Sequence, residues 1–546
     1  MEHISDAIYR EAAKVSLYKC LNRSTGQKMS AGHIFQNFPH VPDDNKVTAY
    51  EHNGDFITVD DDMRQNTSRY SNYPEVFITK ETARALREHE NAKSAFLPHD
   101  ETVWKRAIHA WYEMGLSGTL EEIVNSSGEV PPWTCQTAKR LLTFVRFANS
   151  LHGSLFPHLS LSNEAMITKF SNMTNWKTSP LRAFAWHPHT TKFAYAVCDD
   201  SIHVHMQGNE LTPTLKHKLQ KNVADLAWQP HYASVLAVAC QSCILIWHVE
   251  PTSLATRPSS SSVQVLQQSN HCPVTCLAWD VDGRILLSSS PVDTAMMAWD
   301  VAMETCIPLR RVGGGGVSLL KWSPDGSKVL AATPSNIFRI WETSHWSCEK
   351  WSKCTGRCKA ACWSPHGDVL LFTTENEPVI YYLTFSGMAD ESKPLIGGSQ
   401  TAVACLDLSE VTVKTNSGDD VRVGGSIQDM VWDPTGERLA VLFKENSSGT
   451  NRYIAVFRTK IYPVLDITPC GFVKGFEGET PQHIAFQPKF DRGALLTVIW
   501  SSGRLSYIPL NFIPNDMVEY HKFQENFGPV HMQVSPGLYS RFTDYS

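Results

Sequence analysis

The stretch LKWSPDGSKVLAATPSNIFRIW, residues 320–341, contains three short apolar runs separated by two turns. Pro324 suits the second position of a type I turn because its ring restricts φ, and Gly326 accepts the positive φ that follows. The apolar runs are rich in β-branched and aromatic residues and are too short for helices. The stretch therefore predicts three consecutive antiparallel strands, the last of which ends at Trp341.

The same pattern occurs seven times along the chain. The other six copies span residues 181–205, 223–247, 274–300, 358–383, 427–446 and 481–510. An aromatic anchor ends the first strand of each copy, and these anchors are Trp186, Trp228, Trp279, Trp322, Trp363, Trp432 and Phe486. They are 42, 51, 43, 41, 69 and 54 residues apart, and the shorter spacings match the roughly 40–45 residues of a four-stranded WD40 blade. We therefore predict an all-β fold with a seven-bladed WD40-type β-propeller at residues 176–510.

The copies are degenerate at the polar positions of a WD repeat. An Asp often stands in the turn before the third strand of such a repeat, and here Asp199 and Asp293 occupy it, whereas Gln241 and Ser335 do so in their copies. We expect the blades to depend on apolar packing more than on polar networks.

Composition narrows the classes of function. The 546 residues are 42% hydrophobic and carry a net charge of −6, which argues against a broad basic face for nucleic acid. The sequence indicates no secretory signal, and its most apolar run, residues 235–247, is far below the ~20 residues of a membrane span. We therefore expect no direct binding of nucleic acid and no direct insertion into a membrane. The 14 cysteines are interpreted as small apolar residues in a reducing compartment.

A different kind of sequence precedes the repeats. Residues 81–175 are predicted to be a helical segment packed on the propeller, with helices at residues 99–115, 135–153 and 162–170 and with Gly153 as a stop. Trp104 and Trp111 lie on one face of the first helix, so they are candidates for contact with a partner.

The ends of the chain carry the remaining predictions. Asn53 and Gly54 are a strong hairpin signal between two strand-like runs, and we predict that residues 47–60 add the missing outer strand to the last blade and close the ring. Residues 1–46 are predicted to be a flexible extension and residues 511–546 a tail. Three aromatic residues of that tail are further candidates for partner contact: Tyr520, Phe523 and Phe527.

A search for catalytic motifs is negative. The sequence has no G-x-S-x-G elbow, no P-loop, no dinucleotide-binding G-x-G-x-x-G after a strand and no H-E-x-x-H. We therefore predict a protein that is not an enzyme, with no cofactor, no metal site and no catalytic residue.

Seven segments resemble the Aladin family of WD-repeat nucleoporins. They lie in order between about residues 47 and 510 and read YEHNGDF, SLHGSLFPHLSL, FAWHPHTTKFA, LAVACQSCILIW, WSPDGSKVLAATPS, VWDPTGERLAVL and GALLTVIWSSGR. The resemblance includes pieces outside the repeats, such as SLHGSLFPHLSL, that a generic propeller would not share.

This resemblance implies a component of the nuclear pore complex at the nuclear envelope. It implies a transmembrane nucleoporin of the pore's membrane ring as the anchor, other nucleoporins as further partners, and a role in nucleocytoplasmic protein import. It also implies an association with spindle poles in mitosis and a cytoplasmic pool. The alternative that the residues leave open is a soluble WD-repeat adaptor that presents substrates to a ligase or kinase.

Overall fold

The fold is described from a computed structural model of the whole chain. The residues that the structure describes are 34–39, 41–60, 76–78, 103–104, 107–108, 119–120, 122–124, 126, 131–155, 157–206, 212–249, 257–259, 263–311, 315–352, 354–385, 401–415, 417–444, 452–462 and 464–513.

Before the repeats the chain forms a few strands and helices. A 3-10 turn at Ile34–Asn37 is followed by β1 (Lys46–His52), β2 (Asp55–Asp60) and β3 (Val76–Phe77). Helix α1 (Pro132–Leu155), a 3-10 turn at Pro157–Ser160 and helix α2 (Asn163–Phe170) then lead to the first blade.

Seven sheets follow in sequence order, each a meander whose first strand is innermost, and they confirm the prediction of a seven-bladed propeller. Blades 1 to 3 are β4–β7 (Leu181–Trp186, Lys192–Val197, Ile202–Met206, Thr214–Leu215), β8–β11 (Asp225–Trp228, Val235–Ala239, Ile244–His248, Gln264–Leu266) and β12–β15 (Cys276–Trp279, Ile285–Ser289, Ala295–Asp300, Thr305–Arg310). Blades 4 and 5 are β16–β19 (Leu319–Trp322, Lys328–Ala332, Phe338–Glu342, Ser347–Trp351) and β20–β23 (Cys358–Trp363, Val369–Thr374, Val379–Thr384, Val403–Asp407).

The last two blades surround the point where the ring closes. A separate hairpin, β24–β25 (Val411–Lys414, Asp420–Val423), precedes blade 6, which is β26–β29 (Ile427–Trp432, Arg438–Phe443, Tyr453–Lys460, Asp466–Lys474). Blade 7 has three strands from its own repeat, β30–β32 (Pro481–Phe486, Gly493–Trp500, Arg504–Asn511). The other strands of its sheet, β1 to β3, come from the N-terminal part of the chain.

The second strand of a blade is the most deeply buried. All residues of β5, β9, β21, β27 and β31 are buried, because each strand has a neighbouring strand on both sides and a neighbouring blade on both faces. This burial explains why these strands are continuous apolar runs in the sequence rather than alternating ones.

The hairpin β1–β2 joins blades 6 and 7 at the closure point. Glu51 and His52 of β1 pair in parallel with Leu510 and Asn511 of β32, which places β1 beyond the third strand of blade 7. Thr48 of β1 meets the outer strand of blade 6, since its hydroxyl donates to the Phe472 carbonyl at 3.3 Å. One short hairpin therefore connects the edges of two blades.

Blades 7 and 1 also meet directly. The Trp186 indole of blade 1 donates to Oγ1 of Thr497 in blade 7 at 3.0 Å, and the backbone N–H of Thr174 donates to the Gln482 carbonyl at the start of blade 7. An apolar cluster that includes Trp186 and Tyr507 continues from blade 7 into blades 1 to 3. The ring is closed by side-chain packing as well as by the hairpin.

The prediction of a flexible extension is wrong for the described residues between 34 and 46. Phe35 and Phe38 are buried against Phe472 of blade 6, with ring centroids 6.1 and 4.5 Å away, and Val41 forms a parallel bridge with Thr415. These apolar side chains cover the core beside blade 6, a contact that a local reading of the sequence does not reveal.

Helix α1 differs from its prediction at both ends, since it begins at Pro132 rather than at residue 135. Helix α1 continues past Gly153 to Leu155, because one glycine inside a helix costs only about 1 kcal/mol and does not by itself end it. Helix α2 begins after Ser162, whose hydroxyl accepts the N–H of Ala165 at 3.3 Å, and it ends at Phe170. The short described pieces at 103–104 and 107–108 are also helical.

At the other end of the repeats, the strand and its contacts extend past residue 510. Strand β32 ends at Asn511, and the next residue, Phe512, lies 4.1 Å from the Arg438 guanidinium measured to the ring centroid. The predicted tail thus begins with residues that pack on blades 6 and 7. Residues 514–546 lie outside the described residues.

Candidate functional site

Five of the six tryptophan anchors are buried, and three of them form the same bond between blades. The indole N–H groups of Trp228, Trp279 and Trp363 donate to the backbone carbonyl that precedes the anchor of the previous blade, at 3.1–3.2 Å. Trp186 and Trp432 are also buried, but they donate to the hydroxyls of Thr497 and Thr459. Phe486 occupies the corresponding place in blade 7, where it is buried without an N–H to donate.

Trp322 departs from the equivalence that the sequence predicts. Its side chain is only half-buried, and its indole donates to the Gly326 carbonyl in the turn of its own blade at 3.1 Å. It packs edge-on against Trp346 of the same blade. The hydrogen bond of this anchor therefore stabilises its own hairpin, whereas its ring packs against an apolar cluster shared by blades 3 and 4.

The two turn aspartates have different surroundings. Asp293 belongs to a buried chain of hydrogen bonds in blade 3, in which His271 lies 2.9 Å from both Asp293 and Ser288, and Ser288 accepts the Trp299 indole N–H at 2.8 Å. Burial tends to raise the pKa of Asp293, but the bonds from His271 and from the Ala295 N–H outweigh it and hold that pKa below its usual value.

Asp199 supports only a local arrangement in blade 1. It accepts the N–H and the hydroxyl of Ser201 at 3.1 and 2.6 Å, and Lys216 lies 3.5 Å away. The sequence analysis missed His271 and Ser288 as members of the blade 3 chain. Their position relative to Asp293 and Trp299 in the repeat is the sequence signal for them. Both arrangements are interpreted as structural, since the hydrogen bonds of Asp199 and Asp293 are made to other residues of the protein.

The segment between α1 and blade 1 lies on the face of the ring where the first strands begin. His158 contacts the carbonyls of Pro291 and Gly315 at 3.0 and 2.7 Å, next to the starts of blades 3 and 4. The fully buried Trp176 donates from its indole to the Val223 carbonyl at the start of blade 2. This face is therefore partly covered by residues that precede the repeats, whereas the opposite face carries the turns after the anchors.

Charged side chains of the first strands meet around the axis of the ring. Burial raises the pKa values of Asp225 in blade 2 and Asp429 in blade 6 to about 6. Lys321 of blade 4 interacts with both, and burial is outweighed by these acidic groups, so its pKa is raised. His483 of blade 7 lies 3.8 Å from Asp429, and burial lowers its pKa to about 4. The centre of the ring is thus polar and close to charge balance.

A small pocket opens between α2 and blades 4 to 6 on the covered face. Its basic groups are Lys169 of α2 and Arg357 and Lys359 at the start of β20. Neutral polar side chains complete the wall: Asn172, Ser318 and Gln428. The sequence analysis did not identify this pocket, because its lining residues come from one helix and three repeats and are spread between Lys169 and Gln428.

The candidates for partner contact are only partly described. Trp104 is 63% exposed, as expected for a contact residue, whereas Trp111, Tyr520, Phe523 and Phe527 lie outside the described residues. Trp133 at the start of α1 is 69% exposed and was not among the predicted candidates. The described part of the helical segment therefore presents large apolar side chains to solvent.

Within the described residues, no cluster of three or more histidine, cysteine or carboxylate side chains is arranged to hold a metal ion. The cysteines of the described part are all free thiols. None of the described helices has the length and apolar character needed to cross a bilayer.

His187 in the turn of blade 1 gives a pH-dependent prediction. Its Nδ1 accepts the N–H groups of His189 and Thr190 at 3.1 Å each, and burial lowers its pKa to about 4. Since an unfolded histidine has a pKa of about 6.5, the unfolded chain binds more protons between these values, and the contribution of this group to stability is lost as pH falls from 6.5 towards 4.

We expect His187→Asn to lose less stability than the wild-type chain when the pH is lowered from 7 to 5, because the variant lacks this titration. Denaturant unfolding at both pH values measures the difference. His366→Asn changes an exposed histidine in the equivalent turn of blade 5, so it should retain the wild-type pH dependence. Equal pH dependence of all three chains would contradict the assignment.

The closed ring of seven blades, five of them with a buried tryptophan anchor, defines a WD-repeat β-propeller. A profile described as the Aladin seven-bladed propeller matches residues 162–511, which is more than half of the chain, and the chain belongs to the Aladin family. Aladin of Arabidopsis thaliana is 30% identical over 356 residues, which cover 61% of this chain and 76% of that protein.

A solved structure is also similar in part. A chain of the crystal structure of a mitotic checkpoint complex is 16% identical, with a TM-score of 0.43 over 61% of this chain and 87% of that chain. Family membership supports a nucleoporin-like propeller scaffold, in a family of scaffold type rather than a known family of enzymes.

Proposed function

We propose that this chain is a non-enzymatic scaffold of the nuclear pore complex. A transmembrane nucleoporin of the pore's membrane ring anchors it, other nucleoporins bind it, and it supports nucleocytoplasmic protein import, with a further association with spindle poles in mitosis. The observation that carries the proposal is the family match over the whole ring, residues 162–511.

The helical segment offers the contact surface that this anchoring requires. Its described part exposes Trp104, Ile108, Trp133 and Leu141, and large aromatic side chains are the residues that most often dominate the binding energy of interfaces. Hydrogen bonds of His158 and Trp176 attach the chain between α1 and blade 1 to the propeller. This attachment reduces the conformational entropy that the segment loses on binding. The propeller loops and the residues after 513 remain further candidate surfaces.

We expect the purified chain to float with liposomes only when they carry the transmembrane nucleoporin. Neutral and anionic liposomes without protein should leave it in the soluble fraction, because the proposed anchor is a protein contact. Flotation through a density gradient, followed by immunoblotting, measures the bound fraction. Tight binding to protein-free liposomes would overturn the proposal and indicate a direct lipid anchor.

A matched pair of variants tests which surface makes the contact. Trp133→Ser removes an exposed aromatic side chain from the helical segment and is expected to reduce flotation with the nucleoporin-bearing liposomes. Met303→Ser removes an equally exposed apolar side chain from blade 3, where Met303 is 74% exposed, and should have no effect. Equal flotation of both variants would exclude Trp133 from the interface.

Localisation in cells separates the scaffold from a soluble adaptor for a ligase or kinase. The scaffold predicts a rim of fluorescence at the nuclear envelope for the tagged chain, and loss of that rim when the transmembrane nucleoporin is depleted. A diffuse signal that is indifferent to this depletion would favour the adaptor.

A further inference from the structure

The pocket between α2 and blades 4 to 6 concentrates positive charge without a matching acid. None of the described residues that line it is acidic, whereas three of them are basic: Lys169, Arg357 and Lys359. The nearest carboxylate is Glu375, which accepts from Nε of Arg357 at 2.7 Å. The lining thus carries three cations, and one carboxylate beside the pocket interacts with all three of them.

Arg357 is held at the pocket by contacts of two of its guanidinium nitrogens and of its planar face. Nε is used by Glu375, and Nη2 is 3.4 Å from the Lys169 carbonyl at the C-terminal end of α2. The guanidinium also lies 5.0 Å from the ring centroid of Phe170, and its side chain is only 9% exposed. Arg357 is therefore fixed in position, which reduces the entropy lost when it binds an anion.

The surroundings of Lys359 disfavour its positive charge. Its Nζ donates to Oε1 of Gln428 at 2.5 Å, a neutral acceptor. Burial, together with the positive charges of Arg357 and Lys444, lowers the pKa of Lys359 to about 8, and the acids Glu375 and Asp429 offset only part of this shift. The charged form of this lysine therefore lacks a close anion in the protein itself.

We propose that this pocket binds a phosphate-type oxyanion, held by Arg357 and Lys359 of blade 5 and Lys169 of α2, with Asn172, Ser318 and Gln428 as neutral partners. Guanidinium and ammonium groups form charge-assisted bonds with such oxyanions, and these bonds are about twice as strong as neutral ones. The lining combines three cations with neutral polar side chains and includes no carboxylate, so it suits one small anionic group.

Binding of this anion would connect the helical segment to the ring. Lys169 belongs to α2, whereas Arg357 and Lys359 belong to blade 5, so one ligand bridges both parts of the chain. A ligand that binds only the folded chain stabilises it in proportion to its concentration relative to Kd. Occupancy of the pocket is thus expected to hold α2 on the covered face.

The first test measures binding of pyrophosphate to the full chain by isothermal titration calorimetry, at low ionic strength. We expect Lys359→Gln to weaken binding about tenfold, through the loss of one charge-assisted bond. Lys350→Gln, on the outer strand of blade 4 and outside the pocket, should keep the wild-type affinity. Thermal unfolding without anion checks that both variants are folded. Equal affinity of the two variants, or no binding by the wild-type chain, would overturn the proposal.

A pH series with sulfate tests the role of Lys359 separately. Sulfate keeps its charge throughout the range from pH 7 to 9.5, so a change in affinity reports the protein. Since the anion binds the charged lysine, affinity should be full below pH 8 and decline as pH rises through that value, whereas an ordinary lysine would titrate near 10.4. The charged groups that face Lys359 are Arg357, Lys444, Glu375 and Asp429. A decline of equal size in Lys359→Gln would contradict the assignment.

The oxyanion has two sources, a free polyphosphorylated small molecule or a phosphorylated side chain of a partner. Titration with inositol hexakisphosphate represents the first, and a phosphoserine peptide with its unphosphorylated form represents the second. If either probe binds more tightly than sulfate and this binding is lost in Lys359→Gln, the result supports the site and identifies the source of the oxyanion. Binding of both probes that is indifferent to Lys359→Gln would place them elsewhere on the surface and overturn the proposal.

Discussion

Replacement of Glu51 by alanine is expected to lower the free energy of unfolding by about 3–5 kcal/mol, because it leaves a buried arginine without its partner. Both Glu51 oxygens accept from Arg438, at distances of 2.6–3.2 Å. The Glu51 side chain is fully buried and that of Arg438 is 1% exposed. The pair joins β1 of the closing hairpin to β27 of blade 6, so its loss also loosens the closure of the ring.

The same arginine supplies a matched control. Glu437 is 3.8 Å from Nη1 of Arg438 but is 56% exposed, and exposed pairs contribute between zero and about 1 kcal/mol. Glu437→Ala should therefore remain close to the wild-type stability in denaturant unfolding. A double change of Glu51 and Arg438 to methionine should recover much of the loss, since no charge is then left buried. Equal effects of Glu51→Ala and Glu437→Ala would contradict the role of the hairpin.

Replacement of Trp279 by alanine is expected to cost a similar amount, about 3–5 kcal/mol, as for other large aromatic residues removed from cores. Its indole N–H reaches the Ala227 carbonyl of blade 2 at 3.1 Å, and its ring is buried in the cluster shared by blades 7 and 1 to 3. The change therefore removes apolar packing and a bond between blades together.

Two further variants separate these contributions. Trp279→Phe keeps most of the ring but removes the indole donor, and it should lose about 1 kcal/mol with the hydrogen bond, in addition to a smaller packing loss. Trp322→Ala should cost clearly less than Trp279→Ala, because Trp322 is half-buried and bonds only within its own turn. Denaturant midpoints of the four chains measure the order. Equal losses at Trp279 and Trp322 would restore the equivalence that the sequence predicts.

The sequence predicted the blades well because each blade is specified locally. Pro324 and Gly326 set the turn of blade 4, and Gly326 adopts φ of 74° in the structure. Trp279 and its counterparts end the first strands at the predicted places, since apolar runs bounded by such turns can only be short strands. The family also followed from local segments, and the comparisons support it.

Contacts between distant parts of the chain were predicted less well. Phe35 and Phe38 read as a flexible extension but are buried beside Phe472, because the groove that accepts them is formed by blade 6, more than 400 residues away. Trp322 has the same pattern as the other anchors, yet its surroundings direct its indole into its own turn. Local patterns contain no information about such neighbours.

The sequence by itself determined the number of blades, the strands within them and the family, because turn residues and apolar runs act over a few residues. Only the tertiary structure decided that Glu51 meets Arg438 across 387 residues of chain, and that Lys169, Arg357 and Lys359 form one basic pocket. The physical reason is the closure of the ring. It brings the starts of seven repeats and the preceding helix to one face, where charges that are far apart in the sequence lie close together.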